Sequence, residues 1–294
     1  MRGHEWGTML IAINAEWEAP VERRAGSLDE ALRRLPPDAP VTILIHGYRY
    51  APHSDDPFTG LLGPAGWPRR LGFGRGQAGL CIAFCWNGTG TLWQANRRAA
   101  EAGRVLAGLA RRVRSRHHGP LGVLTHSLGA RVALSALPHL TAHDVTRMVL
   151  LAGAEFRDTA EAALAGAATE VLNITSREND GYDMLYENLI APFSGRRAIS
   201  ALPSGPRVTT LQIDHREHRH ALASLGFPTR PPDRRICHWS SYQRAGLFRL
   251  YRRFLLDPQT LPMATLRAAL PAEVTPRWSR LRGPEPEGQR FSMP

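Results

Sequence analysis

One serine of the chain lies at a sharp transition between two apolar segments. Residues 121–124 are mostly apolar and predict a short buried strand, whereas residues 130–137 are typical of a helix. The connection between them is Thr125, His126, Ser127, Leu128 and Gly129. A serine on such a tight turn has its hydroxyl exposed above the sheet, which is the arrangement called a nucleophile elbow. Gly129 is the small residue that this turn needs after the serine, while Thr125 is larger than the glycine usual before it. The alternative interpretation is a serine in an ordinary strand-to-helix loop.

A second candidate feature is the segment His46-Gly47-Tyr48, which follows a β-branched apolar run at residues 41–45. The run has the length of a buried strand. A glycine directly after a central strand lets the backbone turn, so that a following N–H points toward a reacting oxygen. In combination with a nucleophile elbow, this segment predicts half of an oxyanion hole.

Short apolar segments and helical segments alternate along the chain, and this alternation must position the candidate groups. Strands are predicted at residues 9–14, 41–45, 80–86, 121–124, 145–152, 170–175 and 208–213. The clearest helix begins near Leu92 and carries an apolar stripe to Val113. Such alternation predicts an α/β fold with a mostly parallel central sheet and helices on both faces. Ligands bind beyond the carboxyl ends of the strands in these sheets, where Gly47, Trp86, Ser127 and Asp180 would meet.

The order of these motifs resembles the α/β-hydrolase superfamily, over roughly residues 40–256. Within it, the chain is most similar to bacterial serine hydrolases of uncharacterised activity that carry a His-Ser-Leu-Gly elbow. The resemblance implies that Ser127 is the nucleophile and that the N–H groups of Tyr48 and Leu128 form the oxyanion hole. His46, Gly47, Trp86 and His126 are expected to contact the substrate. The superfamily's chain order then requires an acid and, after it, a histidine.

Asp180 is the predicted acid, because it follows the predicted strand 170–175 within a few residues. Asp183 on the same loop and the more distant Asp158 are the alternatives. Asp180 is also suited to capping the helix that follows it.

His238 is the predicted base, because the resemblance leads us to expect a late histidine before the closing helix. His215, which directly follows the last predicted strand, is the alternative. His215 belongs to a cluster with Glu217, His218 and His220 that has metal-ligand atoms. Two arginines within the cluster and the helical spacing of its members argue against a metal site, and no metal or cofactor is predicted.

Residues 1–262 are predicted to form a single domain with lid-like insertions near 49–79 and 182–206. The long first insertion is interpreted either as a lid over the substrate or as a surface loop packed by its own aromatic residues. Residues 263–294 are rich in Pro and Arg and are predicted to be a tail that packs loosely or stays disordered.

The net charge of +11 raises the possibility of nucleic-acid binding. All 37 basic residues are Arg, however, and they are scattered without interleaved aromatic residues. Three cysteines in a chain of 294 residues suggest reduced thiols and a cytoplasmic protein. No apolar run is long enough to span a membrane.

These observations predict an enzyme that cleaves a small-molecule carboxylic ester, or a related acyl bond, through a Ser-His-Asp triad. The alternatives are a catalytically silent binding protein on the same fold and, less favoured, an Arg-rich nucleic-acid-binding protein. The sequence does not select the acyl chain, the leaving group or the oligomeric state.

Overall fold

The computed structural model describes residues 9–15, 21–23, 28–50, 60–75 and 79–281. The strands of these residues form one sheet: β1 (Met9–Asn14), β2 (Val21–Arg23), β3 (Val41–Ile45), β4 (Leu80–Cys85), β5 (Leu121–His126), β6 (Arg147–Leu151), β7 (Glu170–Thr175) and β8 (Val208–Gln212). Their order across the sheet is β2-β1-β4-β3-β5-β6-β7-β8. Every neighbouring pair is parallel except β1 and β2. The carboxyl ends of β3, β4, β5, β6, β7 and β8 therefore lie along one edge.

Ten α-helices occur within the described residues: α1 (Leu28–Arg34), α2 (Trp67–Arg70), α3 (Leu92–Arg114), α4 (Gly129–Ala136), α5 (Arg157–Leu164), α6 (Asp180–Ile190), α7 (Arg216–Ser224), α8 (Ser240–Gln243), α9 (Leu247–Leu256) and α10 (Met263–Ala269). Three short 3₁₀ turns accompany them, at Leu137–His139, Arg177–Asn179 and Ile199–Ala201. None of the described helices has the length and apolar character needed to cross a lipid bilayer.

The two faces of the sheet are covered by different helices, so the core has two halves. Alternate residues of the strands point to opposite faces. One half packs the strands against α1, α3 and α4, and the other packs them against α9 and α10. The predicted fold class, α/β with a mostly parallel sheet and helices on both faces, is confirmed.

The longest helix, α3, begins with a capping box. The Thr91 hydroxyl accepts a hydrogen bond from the Gln94 N–H at 3.3 Å, and the Gln94 side chain accepts one from the Thr91 N–H at 3.0 Å. Its predicted apolar stripe is buried from Ala95 through Val113. This packing fixes α3 against α4, the helix that follows Ser127.

The C-terminal segment differs from the expected loose tail up to residue 281. Met263 and Leu266 of α10 are fully buried against the sheet. Beyond α10, the backbone of Thr275 binds the side chains of Gln212 and Arg177, at 2.9 and 2.7 Å. Burial of the apolar side chains and these hydrogen bonds hold the segment on the domain. Residues 282–294 lie outside the described residues.

The first insertion, residues 49–79, packs into the core where it is described. Trp67 and Phe73 are buried, and the Trp67 ring contacts the rings of Tyr242 and Phe248 at centroid distances of 5.6 and 6.4 Å. Residues 60–75 therefore form part of the body of the domain. Residues 51–59 and 76–78, where the rest of the predicted lid falls, lie outside the described residues.

Candidate functional site

Ser127 occupies the sharp turn that the sequence predicted, between the end of β5 and the start of α4. Its φ is +55°, in the left-handed region that residues with a side chain rarely adopt. Such a conformation costs about 1–3 kcal/mol and persists only where the surroundings enforce it. Here the Ser127 N–H donates to the Leu151 carbonyl at 3.0 Å, and the Ser127 carbonyl accepts from Ala130 and Ala154 at 2.9 Å each.

Two glycines allow the close packing of this turn. A side chain at Gly129 would bring its Cβ to 2.7 Å from the His46 carbonyl oxygen. A Cβ at Gly47 would lie 2.7 Å from the Ser127 Cβ and 2.9 Å from the His126 carbonyl oxygen. Thr125, the predicted departure from a small residue, is fully buried within β5. The segment after β3 is therefore in direct contact with the Ser127 turn.

The N–H groups of Tyr48 and Leu128 were the predicted oxyanion donors. Tyr48 directly follows Gly47, and Leu128 directly follows Ser127 at the beginning of α4. Neither backbone N–H makes a hydrogen bond within the described part of the chain. Their role as oxyanion donors stays a prediction.

His46 and Trp86, predicted to contact the substrate, are each only 1% exposed. The His46 Nε2 accepts from the Trp86 N–H at 3.1 Å, and the Trp86 indole N–H donates to the His46 carbonyl at 3.0 Å. The His46 Nδ1 pairs with the Gly47 carbonyl at 2.9 Å. Burial lowers the pKa of His46 to about 4, so the ring is neutral near pH 7. These hydrogen bonds connect the ends of β3 and β4 and fix the position of Gly47.

His126 joins the Ser127 turn to the segment that carries His238. Its Nε2 donates to the His238 carbonyl oxygen at 3.1 Å, and its ring lies 4.5 Å from the His238 ring and 4.9 Å from the Tyr242 ring. Burial lowers the pKa of His126 to about 4. The residue before the serine is therefore a neutral donor that fixes the position of the His238 backbone.

The imidazole of His238 is oriented by Asn179, a residue that the sequence did not predict. The His238 Nδ1 lies 2.7 Å from the Asn179 Oδ1, and Tyr182 stacks on the ring with a centroid distance of 4.5 Å. Because an amide oxygen only accepts, this contact places the proton on Nδ1 and leaves the Nε2 lone pair free. Within the described residues, neither the His238 Nε2 nor the Ser127 hydroxyl makes a hydrogen bond. Burial, and after it the neighbouring His126, lower the pKa of His238 well below 6.5.

The structure does not bring Asp180, the predicted acid, to His238. The Asp180 carboxylate accepts from the Trp278 N–H at 2.6 Å and from the Arg177 guanidinium at 3.2 Å, and Arg277 lies 3.8 Å away. At the start of α6, the Asp180 side chain is directed to the C-terminal segment instead. The preceding residue, Asn179, contacts the His238 ring instead.

Asp183, the alternative acid, lies behind Asn179. The Asn179 Nδ2 donates to the Asp183 Oδ1 at 2.8 Å, and both side chains are buried. Burial raises the pKa of Asp183 to about 7. Asp158, the distant alternative, is exposed and pairs with Arg196.

A buried ion pair connects the segments that carry Asn179 and His238. The Glu178 carboxylate, fully buried, binds the Arg244 guanidinium, and the Glu178 carbonyl accepts from the Cys237 N–H at 2.9 Å. Arg244 also donates to the Ile213 carbonyl at 2.6 Å. Sequence reasoning missed these residues. An Asn-Asp pair a few residues after a strand was the available signal for Asn179, and the distant ion pair gave none.

His215, the alternative base, caps α7 by accepting from the His218 N–H at 3.3 Å. His218 is buried and binds the Gln212 N–H at 3.0 Å and the Pro271 carbonyl at 3.0 Å. No group of three or more His, Cys, Asp or Glu in the described residues could hold a metal ion. The cluster therefore positions the C-terminal segment. The three cysteines, Cys81, Cys85 and Cys237, are all buried.

The sheet, its two layers of helices and the sharp turn at Ser127 are those of an α/β-hydrolase fold. No protein-family model matches the chain, and no curated protein matches it. Among solved structures, it is similar to the mature Bacillus licheniformis lipase BlEst2, at 12% identity and a TM-score of 0.35, over 61% of this chain and 84% of that one. It is also similar to Aspergillus fumigatus lipase B, at 16% identity and a TM-score of 0.33, over 72% of this chain and 54% of that one. Because these scores are low, the assignment of the fold depends on the strand order and on the geometry of the Ser127 turn.

Proposed function

We propose that this protein is a serine hydrolase that cleaves carboxylic esters through an acyl-enzyme intermediate. Ser127 is the nucleophile, His238 is the general base, and the N–H groups of Tyr48 and Leu128 bind the oxyanion. The observation that carries the proposal is the Ser127 turn, at φ +55°, to which His126 binds the His238 segment. Ligand-free enzymes often hold their catalytic groups apart until substrate binds, so a hydroxyl without a hydrogen bond is compatible with this role.

The reaction has two halves. His238 Nε2 takes the proton of the Ser127 hydroxyl while the oxygen attacks the ester carbonyl carbon. The tetrahedral oxyanion is stabilised by the two N–H groups, and loss of one such donor usually raises the barrier by about 3 kcal/mol. The imidazolium then gives its proton to the departing alkoxide. In the second half, His238 deprotonates a water that attacks the acyl-enzyme, and Ser127 recovers its proton as the acid is released.

The third member of this arrangement is an amide in place of the predicted carboxylate. Asn179 can fix the tautomer of His238 by accepting from Nδ1–H, and the Cys-His-Asn enzymes show that an amide can serve in this position. It supplies no full negative charge to the imidazolium. The low pKa of His238 agrees with this, because a base that is neutral near pH 7 is ready to accept a proton.

The surface that continues from His238 along α6 is apolar. Tyr182 stacks on the His238 ring, and Leu185 and Leu189 follow it at helical spacing with exposed fractions of 50% and 40%. The indole N–H of Trp93 donates to the Leu189 carbonyl at 2.8 Å and extends this surface. The substrate is therefore expected to carry an apolar group.

The test is labelling of the protein with a fluorophosphonate, followed by mapping of the adduct. We expect Ser127 to be labelled, and Ser127→Ala to lose both the label and hydrolysis of p-nitrophenyl acetate. Ser135→Ala, at another serine near the end of α4, is the matched control. Labelling elsewhere, or hydrolysis that survives Ser127→Ala, would contradict the proposal and favour a binding protein on this fold.

A further inference from the structure

Asn179 has a side chain that can present two different faces to His238. Its carbonyl oxygen accepts a hydrogen bond, whereas its NH₂ group donates. If the oxygen faces His238, the imidazole carries its proton on Nδ1 and is a base at Nε2. If the NH₂ group faces His238, Nδ1 must accept, the proton moves to Nε2, and the ring cannot take the serine proton. In a serine triad, an amide that enforces the wrong tautomer lowers kcat about 10⁴-fold.

A second contact distinguishes the two orientations of the amide. The Asn179 Nδ2 lies 2.8 Å from the Asp183 Oδ1, opposite the 2.7 Å contact between the Asn179 Oδ1 and His238. A carboxylate has only acceptor atoms, so it can bind the NH₂ group and not the amide oxygen. Reversal of the amide would place the Asn179 oxygen against a carboxylate oxygen.

The position of Asn179 in the helix supports a role other than capping. Asn is among the preferred residues at the beginning of a helix, where its side chain normally binds a backbone N–H of the first turn. Asn179 is the residue at the beginning of α6, yet its side chain makes no such bond. The side chain instead connects His238 with Asp183, which lies four residues further along the chain. Both Asn179 and Asp183 are 3% exposed, so water has little access to replace either contact.

We propose that Asp183 is a positioning residue, whose carboxylate holds the Asn179 amide so that His238 remains a base at Nε2. The proposal rests on the proposed hydrolase function, and it adds a fourth residue to the line Ser127, His238 and Asn179. Asp183 does not touch the substrate. It affects the reaction only by fixing the orientation of the Asn179 amide.

The experiment compares Asp183→Asn with the double variant Asn179→Asp, Asp183→Asn, which exchanges the amide and the carboxylate. Asp183→Asn removes the preference between the two amide orientations, so kcat/KM for p-nitrophenyl acetate is expected to fall roughly 10- to 100-fold, less than the loss for a fixed wrong tautomer. The exchange places an acceptor-only group directly on His238. It is expected to recover kcat/KM to within roughly threefold of the wild type, since the tautomer no longer depends on an amide.

The tautomer itself gives a readout that is independent of turnover. Long-range ¹H–¹⁵N correlation spectra, recorded above pH 7 so that Asp183 is ionised and with the signal assigned by its loss in His238→Gln, should show the Nδ1–H form in the wild type and the exchanged variant. Asp183→Asn should show Nε2–H or a mixture. Glu187→Gln, which changes another buried carboxylate of α6 that binds Arg277, is the control and should leave the tautomer unchanged.

The outcomes separate the two proposals. An enzyme labelled at Ser127 whose Asp183→Asn variant keeps its rate and its Nδ1–H tautomer would overturn the role of Asp183 and leave the hydrolase intact. A fall in rate that the exchange does not restore, with an unchanged tautomer, would show that Asp183 only supports the fold. If Ser127 is not labelled, the hydrolase proposal fails, while the tautomer spectra still test the contact.

Discussion

Two histidines at the same edge of the sheet, His46 and His238, are used in opposite ways. Both ring nitrogens of His46 are hydrogen-bonded to backbone groups, and the ring stacks on the Trp86 ring with a centroid distance of 5.5 Å. His238 has one nitrogen held by the Asn179 side chain and the other without a partner among the described residues. A histidine whose hydrogen bonds are all satisfied by the backbone stabilises the fold. One that is held at a single nitrogen keeps its other nitrogen available, as the proposed role of His238 as a base requires.

The largest expected difference between the two comes from replacing each by glutamine. His238→Gln removes the general base, so kcat should fall by about 10²–10⁴-fold with little change in Tm. His46→Gln disturbs buried hydrogen bonds worth about 1–3 kcal/mol, so Tm should fall while the variant that remains folded still reacts with fluorophosphonate. Thermal unfolding and initial rates on both variants make the comparison. Equal losses of rate at unchanged Tm would remove the distinction between a structural and a chemical histidine.

The second prediction concerns pH and distinguishes the protonation of His238 from that of Asp183. The pKa of His238 lies well below 6.5, so protonation of this base alone would reduce activity only in more acidic solution. The pKa of Asp183 is raised to about 7, mainly by burial. Below that pH, a protonated Asp183 can donate as well as accept and no longer selects one amide orientation. The kcat/KM of the wild type is therefore expected to fall as the pH drops through about 7.

Besides Asn179, the charged and polar groups around Asp183 come from three elements: Asp180 and Glu187 on α6, Arg277 of the C-terminal segment, and Ser200 of a 3₁₀ turn. The two carboxylates raise the pKa of Asp183, and Arg277 and Ser200 lower it. In the exchanged variant, Asn179→Asp with Asp183→Asn, the fall in kcat/KM near pH 7 should disappear. If kcat/KM of the wild type falls only at a pH well below 6.5, protonation of His238 alone accounts for the loss of activity.

The same contrast shows what the sequence could and could not predict. The strands and the turn at Ser127 follow from local patterns, because buried strands and a serine between strand and helix leave a signal in neighbouring residues. The identity of the residue that binds the His238 ring leaves no such signal in its neighbours. The choice between Asn179 and Asp180 depends on Arg177, Arg277 and the Trp278 N–H, which draw the Asp180 carboxylate away from the site.

The packing of the C-terminal segment was unpredictable for a similar reason. A stretch rich in Pro and Arg has the composition of a loose tail. Its order depends on single contacts with distant residues, such as Thr275 with Gln212 and Arg277 with Glu187. Contacts of this kind have no periodicity, so their pattern cannot be recognised without the fold.

The smallest expected effect tests whether the surface beyond His238 contacts the substrate. Leu185→Glu places a charge on the exposed apolar stripe of α6, where a buried hydrocarbon chain would gain about 0.8 kcal/mol for each CH₂. We expect kcat/KM for p-nitrophenyl octanoate to fall several-fold, by roughly one to two such CH₂ contributions, with little change for the acetate ester. Leu281→Glu, at a similarly exposed leucine (44% against 50%), is the control. Equal effects on both esters would show that the His238 side of the molecule selects no apolar group, and that α6 serves only to hold Asn179 and Asp183.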